Sequence, residues 1–240
     1  MAASLNHILF GWYPYAALTV FLVGSLIRFD REQYTWKASS SQILRKRQLR
    51  WGSNLFHVGI LAIFLGHLVG LLTPIAVFDA MGISHGAKQV LAIVAGGLAG
   101  IACFVGLVLL LHRRLFDPRI RATSSFADTA ILVILFVQLC LGLATIPLSL
   151  GHLDGHEMVK FMTWAQGIAY LQPGAAEAIA DVHPIFKAHI VLGLTIFLVF
   201  PFTRLVHVWS APVWYLGRRG YQIVRTRDGR RVSASSRPAS

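Results

Sequence analysis

The sequence predicts an all-α integral membrane protein, a five-helix bundle with its N-terminus periplasmic and its C-terminus cytoplasmic. Three observations lead there. The 240-residue chain is 55% hydrophobic and 13% charged, with mean hydropathy +0.62, which is more apolar surface than a soluble domain of this length can bury. Five apolar stretches, at 7–27, 53–72, 89–111, 126–148 and 185–208, reach the about 20 residues needed to cross a bilayer. The basic residues then divide unevenly between the two sides.

Taken in order, the first stretch carries Trp12, Tyr13 and Tyr15, a group of the kind that anchors a helix at the headgroup level. No Lys or Arg precedes Arg28, so this segment lacks the basic start of a cleaved leader and is expected to stay as a helix. Seven Lys or Arg follow it before the second span, and residues 28–51 read as a polar surface too long for a turn. The third and fourth spans are separated by Arg113, Arg114, Arg119 and Arg121. A long loop at 151–184 joins the fourth span to the fifth, with an amphipathic helix expected at the interface around 157–170. Trp209 and Trp214 are read as further anchors beyond the fifth span. The chain divides into a bundle at 1–216 and a flexible basic cytoplasmic tail at 217–240.

Of the 22 Lys and Arg, only Lys88, Lys160 and Lys187 fall on the opposite side. The net charge of +12 is therefore topological, and no nucleic-acid reading is needed. Cys103 and Cys140 are isolated inside spans, with neither CxxC nor CxxCH, so they read as small buried hydrophobes.

Four histidines lie inside the second and fifth spans, where such residues are costly and mark a site. The two spans run in opposite directions. Pairing by depth joins His57 to His207 on the basic side and His67 to His189 on the other. Two imidazoles facing each other across two helices are the axial ligands of a b-type haem, so two stacked haems are expected, non-covalently bound. The helical arithmetic is strained. Along straight helices the pairs would be about 15 Å apart on one helix and about 27 Å on the other, and ten residues fall about 80° short of a full turn.

Gly59, Gly66, Gly70 and Gly193 beside these histidines are read as clearance for a flat macrocycle, and Gly96 and Gly100 as helix contacts. Ser53 and Thr203, one turn before a histidine, are candidate acceptors for an imidazole N–H. His7, His85, His112, His152, His156 and His183 sit at helix ends or in loops and are expected to be solvated, with His85 and His183 near a proton exit.

Segments such as YPYAALTVFLVGSLIRFDREQYTW, SNLFHVGILAIFLGHLVGLLTP, RRLFDPRIRATSSFAD, GLATIPLSLGHLDGHEMVKFMTWAQ and AHIVLGLTIFLVFPFTRLVHVWSAPVWYL make a specific pattern over nearly the whole chain. It resembles the gamma subunit of respiratory nitrate reductase, a dihaem cytochrome b, and departs from that family's usual ending only at Trp214. The resemblance implies that His67 and His189 hold a distal haem near the periplasm, and that His57 and His207 hold a proximal haem near the cytoplasm. It implies quinol oxidation beside the distal haem. Electrons would then pass to the iron–sulfur cluster of a beta subunit and to the molybdenum-containing alpha subunit that reduces nitrate.

It also implies a quinol-binding role for Lys88, whose ammonium can donate to a quinone oxygen; a snorkelling interfacial lysine is the plainer reading. Arg204, one turn before His207, is a candidate partner of a haem propionate. A dihaem subunit of a sulfite- or heterodisulfide-reductase-type membrane complex shares this plan. A proton-relaying transporter fits less well, since no inverted repeat is visible and Asp128 is the one acid within a span. With no cysteine cluster, the chain alone is not expected to reduce nitrate.

Overall fold

The computed structural model describes residues 2–36, 44–210 and 217. Among these every regular element is helical, and five helices are long and apolar enough to cross a membrane. Helix α1 (Ala2–His7) passes through one π turn (Ile8–Trp12) into α2 (Tyr13–Glu32). The wide turn lets the Tyr13 N–H reach the Ile8 carbonyl just before Pro14, which has no N–H to donate. Next come α3 (Lys46–Leu72), the short α4 (Ile75–Ala80) and α5 (His85–Phe116). Then follow α6 (Pro118–Ala122), α7 (Phe126–Leu150), α8 (His156–Ala169) and α9 (Pro184–Val199). Serines start two of the long helices: Ser84 Oγ accepts from Ala87 N–H and Ser125 Oγ from Asp128 N–H.

Small residues determine how closely the spans approach. Helix α3 lies along α5 through Gly52, Gly59 and Gly106; a Cβ on Gly59 would sit 2.7 Å from Ala99 O and from Cys103, and one on Gly106 would collide with Phe56 N. Helix α5 packs on α7, α7 on α9, and α9 on α2. Helices α3 and α9 are not among the closely packed pairs, so the bundle is an open curl with a gap between these two.

The end of the bundle away from the arginines is closed by α8, which carries a buried Met162, Trp164 and Ile168. Trp164 Nε1 donates to Phe10 O at 2.9 Å, and Gln166 Nε2 donates to Leu71 O and Thr73 O at 3.0 and 2.9 Å. The helix expected at 157–170 is thus present, and it packs over the ends of the spans through these buried side chains. Tyr13 and Tyr15 likewise turn inward, bonding Thr195 Oγ1 and Ile168 O, while Trp12 stays exposed.

Helix α2 continues to Glu32 and α3 begins at Lys46, so the described residues of the polar stretch at 28–51 are mostly helical. One expectation changes. The fifth span is not one straight helix: α9 ends at Val199, a 3-10 turn covers Phe200–Phe202, Thr203 is extended (φ −119, ψ 177), and a 3-10 stretch runs Arg204–Ser210. Pro201 is the cause, since it cannot donate to the preceding turn. Gly24 makes room for its ring, with an added Cβ 2.8 Å from Pro201 Cγ. Arg28 Nη1 donates to Pro201 O at 2.6 Å and Thr203 O at 2.9 Å, satisfying carbonyls near the break. Trp214 and the tail at 217–240, apart from Gly217, lie outside the described residues.

Candidate haem-binding site

The gap between α3 and α9 contains the four histidines. His57 and His207 have ring centroids 6.2 Å apart with planes inclined at 74°, and His67 and His189 are also 6.2 Å apart, inclined at 43°. These are the partners chosen by depth. The break at Pro201 releases His207 from the helical phase of His189, so the straight-helix mismatch does not apply.

The spacing is chemically specific. Two collinear metal–imidazole bonds of about 2.0–2.1 Å, with each nitrogen about 1.1 Å from its ring centre, put centroids about 6.3 Å apart. Direct stacking or a hydrogen bond between rings would not require that separation.

The outer nitrogen of each ring is spoken for. His57 Nδ1 donates to Ser53 O (2.7 Å) and lies 3.2 Å from Ser53 Oγ; His67 Nδ1 donates to Ile63 O (2.9 Å). His189 Nδ1 donates to Gln138 O (3.2 Å) and His207 Nδ1 to Arg204 O (2.6 Å). A carbonyl only accepts, so all four Nδ1 atoms carry a proton, and in a neutral imidazole so bonded Nε2 is the nitrogen with the lone pair. That is the tautomer of a metal-bound imidazole with its supporting hydrogen bond. The nearer acceptor for His57 is thus the Ser53 carbonyl, with the hydroxyl a longer second contact, and Thr203 does not serve His207: its hydroxyl donates to Phe200 O and accepts from Leu205 N–H, and Arg204 O serves His207 instead.

Among the described residues no group of three or more His, Cys, Asp or Glu is placed to hold a metal ion. Each pair brings together two imidazoles and no further His, Cys, Asp or Glu, a donor set that suits a metal whose other donors belong to a macrocycle. Gly66 and Gly70 face open space, consistent with clearance for such a group. Gly59 does not; its bare Cα serves the contact with α5. Gly193 receives the Gln138 side chain, and of Gly96 and Gly100 on α5 only Gly100 makes a contact, against Leu143.

Lys88 lies at the start of α5, 5% exposed. Its Nζ is 4.0 Å from the Phe78 ring centroid and 2.6 Å from Met162 Sδ, so it is enclosed rather than snorkelling to an interface. Arg204 Nη1 is 3.8 Å from Asp128 Oδ1, and Arg114 Nη1 is 3.8 Å from Asp128 Oδ2. Two guanidiniums thus lie beside one carboxylate, Arg204 three residues before His207. Of the peripheral histidines, His85 faces Asp79 at 3.9 Å and His183 caps α9 through Nδ1.

Sequence reasoning missed Gly142 and Gln138, which touch His189 from α7, and Arg28 at the helix break. Gln138 is the one amide in an otherwise strongly apolar span, a signal that could have found it.

Comparison with known proteins places the chain in a family. Residues 6–227 match the family described as nitrate reductase gamma subunit. The chain is 52% identical over 227 residues to the Respiratory nitrate reductase 2 gamma chain of Escherichia coli (strain K12), covering 95% of this chain and 100% of that one. It is 51% identical over 223 residues to the Respiratory nitrate reductase 1 gamma chain of the same organism, covering 93% and 98%. With the Nitrate reductase gamma chain of Bacillus subtilis (strain 168) the identity is 41% over 223 residues, covering 93% and 99%.

Proposed function

Since this chain belongs to the nitrate reductase gamma-subunit family and is a multi-pass inner-membrane subunit of such a complex, we propose that it acts there as the quinol-oxidising cytochrome b. In this reading the four histidines would hold two non-covalently bound b haems, which would supply one-electron chemistry between quinol, oxidised near the periplasmic side, and an iron–sulfur beta subunit and a molybdenum-containing alpha subunit on the cytoplasmic side. Family membership favours this over a sulfite- or heterodisulfide-reductase-type assembly.

The observation that carries the proposal is the pair of imidazole couples, each at 6.2 Å with every Nδ1 committed to a carbonyl. His57 and His207 would hold the proximal haem and His67 and His189 the distal one. The excess of Lys and Arg orients the bundle with the His57 end and the C-terminus cytoplasmic and the N-terminus periplasmic. The same basic end is the surface offered to the partner subunits. Arg204, with Arg114 beside Asp128, supplies positive charge for a propionate of the proximal haem.

Lys88 binds the quinol. Its ammonium contacts a thioether and an aromatic face, both weak partners, with the Asp79 carboxylate attracting it from further away, so a quinol oxygen would be its stronger neutral partner. There it donates to a quinol oxygen, orients the substrate and stabilises negative charge on that oxygen.

The test is a reduced-minus-oxidised spectrum of the purified complex with haem quantified per chain. Two b haems are expected, with one lost on His67→Ala and the other on His207→Ala. Lys88→Met should retain both haems and slow their reduction by quinol while leaving dithionite reduction unchanged. A colourless protein in haem-replete cells, or one haem that survives both histidine changes, overturns the reading.

A further inference from the structure

Three of the four site histidines are oriented by their own segment of chain: His57 by Ser53 O, His67 by Ile63 O and His207 by Arg204 O. His189 alone is oriented by a neighbouring span, through Gln138 O of α7. Helix α7 contributes no imidazole to either couple. It nonetheless presents Gly142 directly to the His189 ring: a Cβ there would lie 2.9 Å from Cε1, 3.5 Å from Nδ1 and 3.7 Å from Nε2.

The two features belong together. Gln138 and Gly142 are one turn apart, and helical side chains lean toward the N-terminus, so a side chain at 142 would cover the approach to the carbonyl of 138. That carbonyl can accept the imidazole N–H through its second lone pair because residue 142 is bare. The contact is reciprocal. Gly193, one turn after His189 on α9, faces the Gln138 amide, with an added Cβ 3.1 Å from Nε2. Each helix thus offers a glycine to the other's polar side chain, at matching spacing.

We propose that Gly142 is a positioning residue for His189, the gap through which α7 sets the orientation of one imidazole of the distal couple and of that couple only. The inference rests on the haem reading above. It concerns ring orientation, to which the ferric low-spin signal of a bis-imidazole haem is sensitive.

The experiment is electron paramagnetic resonance and redox titration of the oxidised complex in native membranes, comparing the unaltered protein with Gly142→Ala and Gly100→Ala. Gly100→Ala is the steric control: its Cβ would lie 2.7 Å from Leu143 Cδ2, crowding α7 against α5 away from the ring. Two ferric signals in the unaltered protein are expected, and their absence refutes the haem reading itself. Given two signals, Gly142→Ala should shift or remove one and leave the other in place, and Gly100→Ala should leave both. Identical spectra for Gly142→Ala and the parent overturn the proposal. So do an equal change in both signals, loss of both haems, or the same shift from Gly100→Ala, since Gly142 would then be supporting the bundle rather than one ring.

Discussion

Replacing Gly59 with alanine tests whether the histidine couples depend on how closely α3 approaches α5. The added Cβ would lie 2.7 Å from Ala99 O, Cys103 Cβ and Cys103 N, two of them backbone atoms that cannot rotate away. Ordinary contact starts at 3.4 Å, so α3 must move off α5 by about 0.7 Å. Overpacking of this kind costs about 1–3 kcal/mol. The displacement also exceeds the tolerance of about 0.2 Å expected at a metal–ligand bond. His57 and His67 flank Gly59 on the same helix, so both couples should weaken together. The assay is thermal loss of haem absorbance in detergent, with Gly96→Ala as the comparison because nothing lies within 4 Å of that position. Gly59→Ala should lower the midpoint for both haems, and Gly96→Ala should not. Equal midpoints for the two variants and the parent would show that close approach of α3 to α5 does not support the couples.

Gln166→Leu should remove both bonds from α8 to the end of α3 and leave Leu71 O and Thr73 O without that donor. A destabilisation of about 1–3 kcal/mol is expected, with faster amide exchange confined to the end of α3; unchanged exchange there would refute it. The link from α8 to the following loop should weaken at both pH extremes. The hydrogen bond from Lys160 holds the Asp181 carboxyl below its ordinary 3.8, and bonds to Asp181 and Glu157 hold the Lys160 ammonium above its ordinary 10.5. The Asp181 contribution is present above pH 3.8 and lost as pH falls through its lowered folded value; that of Lys160 is present below pH 10.5 and lost as pH rises through its raised one. Amide exchange around 174–182 should therefore quicken at each end, and Asp181→Asn should abolish the acid limb.

The five spans were legible because the bilayer imposes length and apolarity on any segment that crosses it, and those are properties of consecutive residues. The depth pairing of His57 with His207 and His67 with His189 was legible for the same reason, since antiparallel spans convert position along the chain into depth. What could not be read was anything decided by the faces of helices. Gly59 looked like clearance for a cofactor and is a helix contact, because which side of α3 meets α5 depends on packing. The fifth span looked continuous because Pro201 sits in an apolar run; its break needs Gly24 and Arg28, 177 and 173 positions earlier in the chain.

By itself, then, the order of residues determined the spans, the unequal charge of their ends and the mutual depth of four imidazoles, all of which follow from one-dimensional rules of burial and charge. Only the tertiary structure decided that the facing rings stand 6.2 Å apart with their Nδ1 protons already committed, and that α7 touches one of them. Distances of that kind arise from helices meeting through glycines far apart in sequence, and no local pattern encodes them.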